Sequence, residues 1–198
     1  MGQQAGGSHV IVRDTGDAWQ VVLQTDHADL SGAFARAWTE RGPAHDAVVI
    51  AAERHDDGWA VWEQSPRSDE TGKPVNFLEV DVRSHLAFYR AGIAAISEQD
   101  ADAGLLVSMH GAGIYRQRYG LDPGLSLYFC MRDVAAGEAA ELQGSALEPV
   151  GPWRVQLKPY PFAESPAHFS LLRRVIPKDG SASVLATPPE ETTITIEG

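Results

Sequence analysis

Four histidines recur along this chain at a spacing that suits one shared metal site. His27, His55, His85 and His110 are separated by 28, 30 and 25 residues, and His55 is followed at once by Asp56. Imidazole nitrogens and carboxylate oxygens are ordinary ligands of divalent transition metals, and a carboxylate adds charge that offsets the cation and can bridge two of them. Neighbours on a helix point about 100° apart, so the side chains of His55 and Asp56 can flank one groove. The plain alternative for a histidine on an apolar face is a satisfied core residue. Four of them on successive elements would each carry a desolvation cost without a common purpose. Asp57 and Asp26 stand beside candidate ligands, and either is placed to orient an imidazole by accepting its second N–H, or to act as a plain capping or solvated acid. His9, His45 and His168 fall near element ends or in loops and read as solvated.

The elements that must position these residues follow from periodicity. Val10–Val12 and Trp19–Leu23 are β-rich and enclose Asp14-Thr15-Gly16-Asp17, which is turn chemistry, so the opening reads as a hairpin. Thr25 or Asp26 then caps a helix with His27, Leu30, Phe34 and Trp38 at helical spacing, ended by Gly42-Pro43. A second helix is expected from His45-Asp46 through Val48, Val49, Ala52, His55 and Trp59 to Trp62, closed by Ser65-Pro66. The spacing predicts a third from Val82 to Gln99, with Leu86, Tyr89, Ile93 and Ile96 as its apolar stripe and His85 near that face. A fourth runs over about Asp102 to Arg116, with Leu105, Leu106, Met109 and His110. The apolar run after Asp122, Leu125 to Met131, suits a buried helix or a strand equally. Beyond about Ala140, prolines accumulate, and Val155–Leu157, Phe169–Leu171 and Thr192–Thr195 read as short strands. The expected architecture is therefore mainly α with some β: a helical bundle over 10–135 carrying an N-terminal β-hairpin, and a small C-terminal β-sheet over 141–198 pairing with that hairpin, all in one domain.

Composition narrows the function classes. At 198 residues with 43% hydrophobic and 22% charged residues, the chain can bury a core and does not have the make-up of a disordered protein. A formal charge of −11 disfavours nucleic acid and anionic membrane as partners. The lone Cys130 has no internal disulfide partner and reads as a buried thiol. No apolar stretch approaches the ~20 residues of a membrane span, and Met1 to Ser8 lack the pattern of a secretory leader, which leaves a cytoplasmic location as the expectation. His110-Gly111-Ala112-Gly113 invites comparison with a hydrolase oxyanion segment, but no Gly-x-Ser-x-Gly elbow accompanies it. Trp59 and Trp62, three apart, read as core, and Gly111 and Gly113 permit close backbone approach.

The order His, His-Asp, His, His and a later Asp on consecutive helices resembles the HD-domain superfamily of helical metal proteins, most of them phosphohydrolases and a few of them di-iron oxygenases. The strings Gln24-Thr25-Asp26-His27-Ala28-Asp29-Leu30-Ser31-Gly32, Ala51-Ala52-Glu53-Arg54-His55-Asp56-Asp57-Gly58-Trp59, Gly104-Leu105-Leu106-Val107-Ser108-Met109-His110-Gly111 and Leu125-Ser126-Leu127-Tyr128-Phe129-Cys130 are more closely similar to the bacterial domain-of-unknown-function 3891 family. That resemblance runs from about Val10 to Pro159-Tyr160-Pro161-Phe162. It implies His27, His55 and Asp56 as ligands of one metal, His85 and His110 as ligands of a second, and Asp122 as the closing ligand. The chain departs from the pattern in one respect: only eleven residues separate His110 from Asp122, and Pro123-Gly124 follow.

The expectation is an HD-type metal-dependent hydrolase of a small phosphorylated or otherwise anionic molecule. Asp56 and Asp57 would be its catalytic carboxylates, Arg116 and Arg118 would hold the anion, and one or two divalent ions of Fe, Mn, Co, Ni or Zn would polarise the substrate and activate water. A mixed-valent di-iron oxygenase on the same ligands, or a non-catalytic metal-binding scaffold, are the alternatives. Oligomeric state is not legible. Replacing His55 or Asp56 by Ala is expected to abolish metal binding, and full metal content in both purified variants would refute the site.

Overall fold

The computed structural model describes residues 11–118, 140–142 and 145–198. Two strands, β1 (Ile11–Asp14) and β2 (Ala18–Val22), form the opening hairpin, its turn tightened by Gly16 at φ 98°. Helices α1 (Gln24–Ala37), α2 (His45–Arg54), α3 (Ala60–Glu63), α4 (Val82–Gln99) and α5 (Ala101–Arg118) follow, and then strands β3 (Ala140–Leu142), β4 (Ser145–Gly151), β5 (Arg154–Lys158), β6 (Ala167–Pro177) and β7 (Glu190–Glu197). The strands join one seven-stranded sheet in the order β1-β2-β6-β7-β5-β4-β3, antiparallel throughout except for the parallel β5–β7 pair.

This is an α+β fold, and the expected mainly helical HD-domain-like bundle does not form. The sheet is faint in the sequence because strands such as β5 and β7 show only a few apolar residues. In β5 just Val155 and Leu157 face inward, and in β7 just Ile194 and Ile196, with exposed or half-buried residues between and beyond them. That alternation is a strand with one face on the core; the eleven-residue β6 keeps it at Phe169 and Leu171 and then turns Ile176 to the second cluster. The hairpin and the C-terminal strands meet directly, through β2 and β6, with Val21 opposite Arg174.

The main core lies where Leu30 of α1 and Trp59 meet Val155, Leu157, Phe169, Leu171, Ile194 and Ile196 of the sheet. Phe34 stacks edge-on to Phe169 with ring centroids 4.5 Å apart. Behind the hairpin a second cluster of Val12, Val21, Ile176 and Val184 covers the other face. Ala47, Ala51, Ile96, Ala103 and Val107 let α2, α4 and α5 pack closely. Two carboxylates cap helices locally: Asp81 accepts from Ser84 N at 3.0 Å at the start of α4, and Asp100 accepts from Ala103 N at 2.8 Å where α4 gives way to α5. No helix among the described residues is long and apolar enough to cross a membrane.

The second expected helix is interrupted. Regular helix ends at Arg54, Asp56 adopts φ −109° and ψ 13°, and a 3-10 turn over Asp57–Trp59 leads into α3. Asp57 and Gly58 are poor helix formers, and Gly58 is required for packing. A Cβ at Gly58 would stand 2.1 Å from the Phe88 carbonyl oxygen of α4. The backbone after Asp56 therefore lies directly on α4, which brings Asp56 inward. Gly58→Ala is expected to destabilise the protein by about 1–3 kcal/mol or more, because the obstacle is backbone and cannot rotate away. Gly42→Ala, with open space around its Cβ, should change stability by no more than about 0.5 kcal/mol. Urea unfolding of both variants checks this, and equal stabilities would count against the packing argument.

Candidate metal centre

His27 lies in the first turns of α1, His55 at the C-cap of α2, Asp56 in the break that follows, and His110 in α5. The start of α1 has no cap of its own. Leu23 occupies the cap position, and the orphan N–H groups are taken by Glu63 of α3: Gln24 N donates to Oε1 at 2.5 Å, and Thr25 Oγ1 to Oε2 at 2.7 Å. The cap expected from Thr25 or Asp26 is thus replaced by a buried carboxylate remote in sequence. It ties α1, and His27 with it, to the segment that carries Asp56. Asp26 instead pairs with Arg174 of β6 at 3.0 Å, joining α1 to the sheet.

His27, His55 and Asp56 each offer a ligand atom, and these atoms lie within 4.8 Å of one another. His27 and Asp56 are 3% and 4% exposed. The His27 ring meets His55 edge-on at 5.2 Å, and His55 meets His110 in the same manner at 4.8 Å, so three imidazoles form a row beside one carboxylate. His55 is oriented at both nitrogens: Nδ1 faces the Ala52 carbonyl at 2.8 Å, and Nε2 faces Asp56 Oδ2 at 3.2 Å. The Tyr89 hydroxyl donates to Asp56 Oδ1 at 3.2 Å. His27 Nδ1 is buried and has no hydrogen-bond partner.

The charges within this cluster are uneven. Burial pulls His27 down to about 3, and the neighbouring His55 adds to the shift. Burial likewise brings His110 down to about 4. Burial acts against a charged His55 as well, but the Asp56 carboxylate and the Ala52 carbonyl overcome it and hold His55 above the usual histidine range. Burial also opposes ionisation of Asp56, and the facing His55 outweighs it, keeping this carboxyl well below the ordinary carboxylate range. In the metal-free cluster burial thus disfavours charge on His27 and His110, while the His55–Asp56 contact favours a proton on His55 and the ionised form of Asp56. The cluster is a seat for positive charge with lone pairs converging on it. A hydrogen bond from Nδ1 to a backbone carbonyl, leaving Nε2 toward the centre, is also the usual support of a ligating histidine.

These residues fit one metal ion. The expected second set does not assemble as a second site: His110 joins the row beside His55, and His85 stands apart from it. His85 is 2% exposed and sits in α4 between Trp59 and Tyr89, at ring distances of 5.2 and 4.9 Å. Tyr89 lies one turn further along the same face and is the residue that reaches Asp56. Asp57 is gripped by Arg54, Nε at 2.7 Å and Nη2 at 2.6 Å, and serves the turn. Arg116 and Arg118 occupy the end of α5, about 9 and 12 Å along the helix axis from His110. Asp122, Cys130 and His9 lie outside the described residues. His168 is exposed on β6, facing Thr195 Oγ1 at 3.2 Å. Trp59 is core, at 1% exposed. Gly111 receives the Tyr89 ring, which lies 3.1 Å from where its Cβ would be. Sequence reasoning missed Glu63 and Tyr89. The first has no local capping signature, and the second is one member of an apolar stripe.

Beside the cluster is a cavity of about 670 Å³, walled by α1, α2, α5 and the inward face of the sheet, with His55 and His110 on its lining. His45, read as solvated, stands at its margin and is half-buried.

A family model described as "Protein of unknown function (DUF3891)" matches residues 10–124, a span that holds all four residues of the cluster. No curated protein and no solved structure matches the chain. These comparisons lend no support to a kinship with HD-domain proteins.

Glu63 gives the site region a distinct pH signature. Burial raises its carboxyl to about 7, against hydrogen bonds from Thr25 and Gln24 that favour the charged form. The folded state then binds a proton that the unfolded chain has released, so the stability due to this group is complete below about pH 4.5 and is lost as pH rises through about 7. His27 and His110 act with the opposite sign, losing stability as pH falls below the unfolded histidine value. Comparing wild type with Glu63→Gln isolates the carboxylate. The stability difference should move against wild type by on the order of 3 kcal/mol between pH 4.5 and 7.5, read from urea midpoints. Parallel profiles would show that Glu63 stays ionised.

Proposed function

The chain belongs to the DUF3891 family of proteins of unknown function, and since that name assigns no activity, we propose from the site itself that it is a metal-dependent hydrolase with one divalent ion held by His27, His55 and Asp56. One observation carries the reading: two imidazoles and an ionised carboxylate converge in a buried place, and one of those imidazoles has a buried nitrogen without a partner. A two-nitrogen, one-oxygen set without thiolate suits Fe, Mn, Co, Ni or Zn, and three protein ligands leave coordination positions open for water and substrate.

A bound divalent ion supplies Lewis acidity, which polarises a scissile bond and makes water a stronger acid at neutral pH. The protein's own groups do the rest. Asp56 balances the cation's charge, and Tyr89 fixes its Oδ1. Ala52 fixes the ring of His55. His110, uncharged at neutral pH and on the cavity wall, is the proton acceptor for the attacking water and returns that proton to the leaving group. A two-metal oxygenase has no support here, because His85 packs between Trp59 and Tyr89.

Loading with Mn, Fe, Co, Ni or Zn followed by elemental analysis tests the assignment. His27→Ala is expected to lower metal affinity by at least about tenfold, by analogy with lost support around metal ligands, whereas His85→Ala keeps the metal. His110→Gln should keep the metal and lower kcat by about 10²-fold or more on any substrate turned over. Loss of metal from His85→Ala as complete as from His27→Ala would overturn the ligand set.

A further inference from the structure

The cavity beside the metal centre specifies the kind of molecule that reaches it. Its 670 Å³ falls within the roughly 300–1,000 Å³ of small-molecule sites. Phe34, Val48, Leu106, Phe162 and Ile196 make up much of its wall; His55 and His110 face it from the cluster, and Ser31, His45 and Glu40 are the other polar side chains on its described lining. Among the described lining residues there is no Lys or Arg, and the only carboxylate is Glu40, which is exposed. A phosphorylated substrate would bring two negative charges to a site whose one divalent ion is already partly offset by Asp56, and the described wall offers no Lys or Arg to pair the remainder, in a chain of net charge −11. An uncharged molecule meets no such cost and gains from each methylene buried.

We propose that this cavity binds the substrate, and that the substrate is an uncharged carboxylic ester with an apolar acyl body, its carbonyl directed to His55 and His110. The ligand class rests on the cavity wall, and the reaction rests on the metal-hydrolase reading above. Water adds to the acyl carbon as an imidazole nitrogen of His110 takes its proton. The acyl C–O bond then breaks, and the alcohol leaves with that proton, giving a carboxylic acid and an alcohol.

Two measurements on the full chain separate the claims. Metal-free protein is titrated with the neutral fluorophore N-phenyl-1-naphthylamine, and metal-loaded protein is assayed on p-nitrophenyl esters from acetate to octanoate and on p-nitrophenyl phosphate. The fluorophore is expected to bind saturably, to be displaced by the hexanoate ester, and to be indifferent to inorganic phosphate. Because each buried methylene is worth about fourfold, kcat/KM should rise at least tenfold from acetate to hexanoate, and the phosphate ester should not be turned over. Val48→Arg, at a position 43% exposed on the cavity wall, should weaken the fluorophore at least fivefold with metal content unchanged. Absence of saturable binding, displacement by phosphate, or rates indifferent to chain length would overturn the proposal. Fluorophore binding in a protein that takes up no metal would support the cavity's ligand class and overturn the hydrolase reading. Metal uptake without fluorophore binding would do the reverse.

Discussion

A carboxylate taken out of water must be met by charge or hydrogen bonds, and Asp56 is such a group. Its two oxygens are met from two directions, by His55 within the same turn and by Tyr89 from α4. Much of the local architecture follows from that requirement. The helix has to stop at Arg54 so that Asp56 can turn inward, the chain has to approach α4 within the clearance of a hydrogen atom at Gly58, and α1 has to be drawn in by Glu63 so that His27 completes the group. A local break in periodicity and a remote cap together serve one buried negative charge.

Much of this was legible in the sequence, and the losses have physical causes. Strong periodicity located α1, α4 and α5 and the opening hairpin to within a few residues, and the His55-Asp56 dipeptide marked the centre of the cluster. Linear spacing could not separate His85 from His110. Both lie near the apolar stripe of a helix, yet His85 packs behind Tyr89 while His110 reaches His55. Which residue of a stripe touches a neighbour depends on helix rotation, and rotation is decided by partners elsewhere in the chain. The sheet is faint in the sequence for a related reason. A strand with one face on the core presents apolar residues only at alternate positions, and β5 shows two of them. Glu63 left no trace because its partners stand 38 and 39 residues away.

The cluster also sits where the two kinds of secondary structure meet. Asp26, one residue before His27, is paired with Arg174 in β6, and Phe34 of the same helix packs on Phe162 and Phe169. The sheet therefore sets the position of α1 while α3 sets its start. The apolar face left between them is shared by Val155, Leu157, Ile194 and Ile196 with the helices, and it forms the cavity wall.

Strand β7 holds the middle of the sheet although it is the last strand in chain order, with β6 on one side and β5 on the other. The hairpin made first, β1–β2, finds its neighbour only in β6. Contacts this distant in sequence demand the closure of very long loops before any reward is collected, a topology associated with slow folding. During synthesis the helices can form as they leave the ribosome, but α1 has no sheet to rest on until the final strands emerge. The side of α1 that rests on the sheet therefore stays uncovered in the nascent chain until β6 and β7 have been made.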